Sequence, residues 1–173
     1  YYVYSTKSYD TYHEDVDRIY RVAFESTSPL ASHKQANTTG ALAVALGNDY
    51  PQVENVARIM VQTGKIIQTT PEKRFSEKNF YIVDDVFFNI FTLPFIQGSS
   101  EQPFSGNQSI VISQKIAQKY FGKNDVVGEQ LKIGSNSVTV SGVIQNTPQN
   151  SHMQFDFLAP LKPVEKHPFF NNW

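Results

Sequence analysis

The chain has 173 residues, 40% hydrophobic and 18% charged, which suits one ordinary domain with a buried core and excludes a disordered tail or a membrane bundle. Its 15 Lys and Arg against 16 Asp and Glu leave a formal charge of -1, with no cationic surplus to displace counterions from nucleic acid. Cysteine is absent, which rules out disulfides, thiolate metal sites and cysteine nucleophiles.

The chain opens YYVYSTKSYD, without the basic start and apolar stretch of a leader peptide, as expected of a piece of a longer protein or of a mature chain whose leader is gone. SYDTYHEDVD (8–17) is polar and aromatic and reads as a short helix or an extended lead-in. DRIYRVAFEST (17–27) alternates, with Tyr20, Val22 and Phe24 on one face, and predicts a strand. NTTGALAVALGN (37–48) predicts a helix capped by Thr38 or Thr39 and ended by Gly47. Tyr50-Pro51 forces extended backbone, leading into a second strand over VENVARIMVQ (53–62). Gly64 turns the chain into KIIQTT, and Pro71 to Arg74 turn it again before FSEKNFYIVDD. The resulting β-α-β-β-β order predicts an α+β fold rather than a wound parallel sheet.

Asp84 or Asp85 is placed to cap a short helix through VFFNIF with its apolar residues inward. The surrounding VFFNIFTLPFI (86–96) is shorter than the roughly 18 apolar residues a membrane span needs. It is also broken by Asn89, Thr92 and Pro94. LPFIQGSSEQPFSGNQ (93–108) reads as loop and SIVIS (109–113) as a short buried strand. Ser113 then caps the helix QKIAQKYFG, which carries Ile116, Ala117, Tyr120 and Phe121 on one side and stops at Gly122. VGEQLKIGSNSVTVSGVIQ predicts a hairpin of Gln130 to Ile133 and Val138 to Ile144, turning at Gly134-Ser135-Asn136. Pro148, Asn150 and Ser151 make a turn, after which Met153, Phe155 and Phe157 alternate with His152, Gln154 and Asp156 as a strand.

That last assignment bears on chemistry. His152 and Asp156 would be neighbours on a helix, but along a strand residues four apart lie about 13 Å from one another, too far to share one ion. His13, His33, His152 and His167 fall in no HExxH or other paired-ligand spacing. Glu14, Asp15 and Asp17 lack the glycine and distal glutamate of a calcium loop and read as a solvated acidic face. Ser113 and Lys115 sit in neither GxSxG nor SxxK, and helix capping explains the serine. GKNDVVGE has glycines and a lysine, but Gly122 ends a helix where a phosphate loop would open one. Asp84 and Asp85, adjacent in sequence, point apart, and capping accounts for one of them. FFNIFTLPF reads as core in preference to an exposed docking patch for a partner or lipid. No catalytic, cofactor-binding or metal-ligating residue is nominated, and the expectation is a chain that is not an enzyme.

Five stretches in order carry a family resemblance: SYDTYHEDVDRIYRV, DYPQVENVARI, DDVFFNIFTLPFIQG, SIVISQKIAQKYFGKNDVVGEQL and VSGVIQNTPQNSHMQFDFLAPL. Together, over about residues 8 to 161, they resemble the extracytoplasmic periplasmic core domain of MacB/FtsX-type ABC transporter permeases, in the version of the large Bacteroidetes permeases. The IVIS–helix–YFG–VGE block is the most specific; Tyr120, Phe121, Gly122 and Gly128 within it have structural explanations first.

The resemblance implies a porter-like mixed sheet with helices plus a smaller, mostly β lobe. Residues 1–95 would form the first part of the porter-like α+β lobe, 96–161 the smaller inserted-lobe-like region with one helix, and 162–173 a truncated return segment. It further implies the periplasmic face of the bacterial inner membrane and no cofactor bound in this domain. The partners it implies are the permease's own transmembrane helices, a nucleotide-binding domain or subunit, a second copy in the parent transporter, and a periplasmic adaptor or cargo. The implied work is mechanical, carrying nucleotide-driven motion to substrates in the periplasm. The alternative is a free-standing ligand-binding or adhesion module of the cell envelope. Because family chains continue with a strand and helix past the point where this sequence stops, the isolated chain is expected to expose an apolar surface through which it associates, or to have a disordered tail near Trp173.

Overall fold

Short runs of β-branched and aromatic residues with two-residue alternation build a curled mixed sheet covered on both faces. The computed structural model of the chain describes residues 9–28, 31–35 and 37–166. A 3-10 turn at Val16–Arg18 precedes β1 (Phe24–Ser28) and β2 (Ala31–Gln35), which pair only with each other, antiparallel. Helix α1 (Gly40–Asp49) leads to β3 (Ile59–Gln62), β4 (Lys65–Gln68), β5 (Arg74–Glu77) and β6 (Phe80–Val83). Then come α2 (Phe87–Ile90), β7 (Phe95–Gln97), β8 (Ser109–Ser113), α3 (Gln114–Phe121), β9 (Gln130–Ile133), β10 (Asn136–Ile144) and β11 (Phe157–Pro160), with a last 3-10 turn at Lys162–Val164.

Nine strands form the main sheet in the order β3-β6-β11-β8-β10-β9-β4-β5, with β7 added along β10. The β6–β11 and β8–β10 pairs are parallel and the others antiparallel. Strands from both sides of the 95/96 boundary interleave in this sheet, and β7 straddles that boundary.

Period-two alternation sorts the side chains into two cores. Phe80, Ile110, Ile112, Val140 and Phe157 face one side, where α3 closes over them with Ile116, Ala117 and Tyr120. Tyr81, Val83, Val111, Ile144 and Leu158 face the other, where α2 contributes Phe87 and Phe88 and the chain before β11 contributes Phe155. The second core is aromatic: Phe87 lies 4.6 Å from Phe91 and 5.2 Å from Phe155, and Tyr81 meets Phe155 at 5.1 Å. With cover on both faces, all five residues of β8 are buried. FFNIFTLPF is therefore core, with Phe87, Phe88 and Leu93 buried.

Several expectations change on the structure. The first strand begins only at Phe24, leaving Tyr20, Val22 and Phe24 exposed. Helix α1 starts after Thr39, whose side chain makes no capping bond, runs through Gly47 and ends at Asp49, because Pro51 holds Tyr50 in extended backbone. Asp84 does not cap α2 with its side chain; its carboxylate is taken by Arg58, and the Asp84 carbonyl accepts from Phe87 N instead. The 93–108 loop contains β7. Ser113 stands at the N-cap position of α3 without capping it, since its hydroxyl donates to Asp156; Asn146 Oδ1 receives the Lys115 N–H at 2.8 Å. The strand assigned from His152 starts at Phe157, because the Phe155 N–H is drawn to Thr147 Oγ1 rather than to a neighbouring strand. His167 and the segment from 167 to Trp173 lie outside the described residues.

Glycine matters most where β7 crosses β10. The register of β10 against β8 shifts between Val140 and Gly142, and on the β7 side a Cβ on Gly142 would sit 2.7 Å from Phe95 Cε1. Across from it Gly98 adopts φ +84, and its Cβ would meet Ser141 O at 2.6 Å.

Candidate functional site

Polar side chains gather at four places, and each fastens segments far apart in sequence. The first is centred on buried Asp156, just before β11. Its Oδ1 accepts from Ser113 Oγ at 3.1 Å and pairs with Lys115 Nζ at 2.8 Å, while Oδ2 accepts from Asn79 Nδ2 at 2.9 Å. Ser113 and Lys115 thus come together, but as donors to one carboxylate. The serine is fully buried, and the carboxylate that accepts its hydrogen bond is itself held by Lys115 and Asn79. His152 is elsewhere, its Nδ1 on Asp10 Oδ2, so the His152/Asp156 pairing suggested by helical spacing does not form.

The second lies under α3. Glu77 Oε1 accepts from Tyr120 Oη at 2.8 Å and from Lys119 Nζ at 2.6 Å, and the same ammonium sits 4.4 Å from the Phe75 ring centroid. Burial, then the Glu77 hydrogen bond, pushes the Tyr120 phenol above its ordinary value, so it remains a donor at any physiological pH.

The third joins β3, β6 and the turn after β11. Arg58 Nε donates to Asp84 Oδ2 at 2.9 Å, and one terminal nitrogen donates to Asp84 Oδ1 at 2.7 Å and Glu165 Oε1 at 2.8 Å. The Arg58 backbone N–H adds a bond to Asp84 Oδ2 at 2.8 Å. These partners, the Asp84 hydrogen bond foremost, hold the guanidinium proton more firmly than usual. The fourth binds residues 9–14 to the 148–152 turn through Asp10, Ser151 and His152.

An open cleft of about 480 Å³ lies beside α3, lined in part by Thr69, Lys73, Tyr120, Lys123 and Glu129. Its cations are already engaged: Lys73 Nζ donates to Tyr120 O at 3.0 Å, and Lys123 pairs with Glu129 at 2.9 Å. In the acidic HEDVD stretch, Asp15 pairs with Arg18, and the Glu14 N–H is bonded to Thr92 Oγ1. Asp85 lines a small recess with Asp84 and Glu165. Among the described residues no group of three or more metal-ligating side chains converges.

The sequence reading missed Arg58, Glu77, Asp10 and Glu165. Their partners are 26 to 142 positions away, a separation that no local spacing rule reports.

A family model for the MacB-like periplasmic core domain matches residues 1–169. No curated protein sequence matches the chain. Among solved structures, a domain of a protein described as a permease from Porphyromonas gingivalis superposes with TM-score 0.70 at 25% identity, covering 88% of this chain and 69% of that one. The periplasmic region of MacB from Actinobacillus actinomycetemcomitans gives 0.58 at 19% identity, over 76% of this chain and 58% of that one. The extracellular domain of the ABC-type transporter YknZ from Gram-positive bacteria gives 0.59 at 19% identity, over 75% and 66%. These last two likenesses show the fold, and the family match shows descent: the chain belongs to the MacB-like periplasmic core domains of ABC transporter permeases.

Proposed function

We propose that this domain is a mechanical transmitter, without catalysis of its own, that carries ATP-driven conformational change from the rest of a permease into export or other periplasmic work. The observation that carries the reading is the match to a permease periplasmic domain over nearly the whole chain. The packing supports it. A transmitter needs a body that moves as one piece, and here a nine-stranded sheet with a core on each face is cross-tied by ion pairs between remote segments. Ser113, Lys115, Glu77, Tyr120 and Arg58 are all engaged in those ties.

Among the described residues no helix is long and apolar enough to cross a membrane. Membership of the family implies transmembrane helices and an ATPase partner. In our reading the domain stands at the periplasmic face of the bacterial inner membrane, pairs with a second copy in the parent transporter, and meets an adaptor or cargo there. We also carry forward the division into a porter-like lobe over 1–95, a smaller lobe over 96–161 and a return segment from 162. Deleting the domain from the parent permease is expected to leave ATP hydrolysis running while transport stops. Transport at the undeleted level, or turnover of a substrate by the isolated domain, would overturn the proposal.

A further inference from the structure

Residues 9–14 are fastened to the body at two points that meet around a buried histidine. At the first, Thr92 N donates to His13 Nδ1 at 3.1 Å and Glu14 N donates to Thr92 Oγ1 at 2.9 Å. The His13 ring packs edge-on to Phe91 at 5.2 Å and against Tyr12 at 4.0 Å. At the second, Asp10 N donates to Asn150 O at 3.0 Å, and Asp10 Oδ1 accepts from Ser151 Oγ at 2.9 Å and His152 N at 3.0 Å. Asp10 Oδ2 meets His152 Nδ1, and Tyr12 Oη meets Ser151 Oγ at 3.1 Å. Asp10 holds φ 58, a left-handed conformation unfavourable to a residue with a Cβ and maintained here by these bonds.

The two points respond oppositely to a proton. An imidazole that accepts at Nδ1 is neutral, with its hydrogen on Nε2. A second proton would stand on Nδ1, facing the Thr92 N–H, and that bond is lost. Protonated His152, by contrast, forms an ion pair with Asp10. We propose that residues 9–14 are a proton-operated strap whose Thr92 end lets go on mild acidification while its Asp10 end holds.

The groups facing His13 are Asp10, Tyr12 and Glu14 on its own segment, Phe91 and Thr92 on the chain after α2, and His152 across Asp10. Burial depresses His13 below its ordinary value, with Asp10 opposing only in part. Its contribution is therefore complete above the released value of about 6.5 and is lost as pH falls through that value and below. Burial alone would raise Asp10, but hydrogen bonds from His152 and Ser151 outweigh it and leave the carboxyl depressed. That end is held until pH falls below about 4.

The test is amide hydrogen exchange on the 173-residue chain, read at Thr92, Glu14 and, as a control, Ile112 in β8. Between about pH 7.5 and 5.5 the protection factors at Thr92 and Glu14 should fall on the order of tenfold, because a released imidazole is about tenfold protonated over neutral at the lower pH. The His152 amide should hold, and Ile112, which opens only with the whole sheet, should fall by no more than Thr92 and Glu14 do. His13→Gln keeps an acceptor but cannot titrate, and should remove the pH dependence. Equal protection at both pH values in the unsubstituted chain overturns the strap, as does a pH response that survives in His13→Gln. If that variant does not fold, NMR titration of the His13 ring decides: protonation without movement of the Thr92 amide refutes the proposal.

Discussion

Helices α1 and α3 look misassigned if judged by composition. GALAVALGND is the more apolar, yet of its residues only Gly40 is buried. QKIAQKYF is half polar and buries Ile116, Ala117 and Tyr120. The difference lies in placement. In α3 the apolar positions fall on one stripe, with Gln118 turned away and Lys115 and Lys119 reaching around its margins to Asp156 and Glu77, and the stripe lands on a sheet face that offers Phe157, Ile112 and Val140. In α1 apolar residues surround the axis, so no single stripe forms to match a partner surface. Burial follows the match between two patterned surfaces, with hydrophobicity as only one requirement.

That contrast can be broken or sharpened by substitution, read as denaturant unfolding. The largest effect should come from Phe157→Ala in the sheet body. Its fully buried ring packs against Phe80 at 5.9 Å and Tyr120 at 6.2 Å, and its loss should cost about 3–5 kcal/mol. Arg58→Ala should follow at about 3 kcal/mol, since Asp84 and Glu165 would lose the cation they share; Arg58→Lys should recover only part, as an ammonium cannot reproduce the forked bonds. Gly142→Ala should cost about 1–3 kcal/mol by forcing Phe95 aside where β7 crosses β10. Smallest of all, Val44→Ser on α1, at a residue 55% exposed, should stay within about 0.5 kcal/mol. A loss at Val44 comparable to that at Phe157 would mean that α1 is packed as firmly as α3, and the distinction would vanish.

What could be read from the amino acids was whatever local pattern decides. The buried strand SIVIS, the α3 stripe with its Gly122 stop at φ 71, and the β9–β10 hairpin all follow from spacing and turn chemistry, and all form. At Asp84 and Ser113 capping misled for one reason. Asp84 and Ser113 are good caps in isolation, but each has a stronger partner brought in by the fold, Arg58 for one and Asp156 for the other. The alternation through His152 to Asp156 was real, and Phe155 and Phe157 are buried as it implies, yet extended backbone becomes a strand only where a neighbour's N–H and C=O groups are in register. Of the polar ties, none was legible, because Glu77 with Tyr120 or Arg58 with Glu165 meet only after the sheet has closed. The family, in contrast, was legible from five ordered blocks, since relatives share motifs even where no single motif performs chemistry.

Consider finally where β11 lies. It is the last strand along the described chain, yet it is wedged between β6 and β8, with Phe157 opposite both Phe80 and Ile112. Until it arrives, β6 and β8 have a gap between them and neither core can seal. A polypeptide made from its N-terminal end therefore cannot complete this sheet piecemeal: the whole stretch from Ile59 to Pro160 must be delivered before the keystone drops in, and until then the greasy strands need shelter from one another.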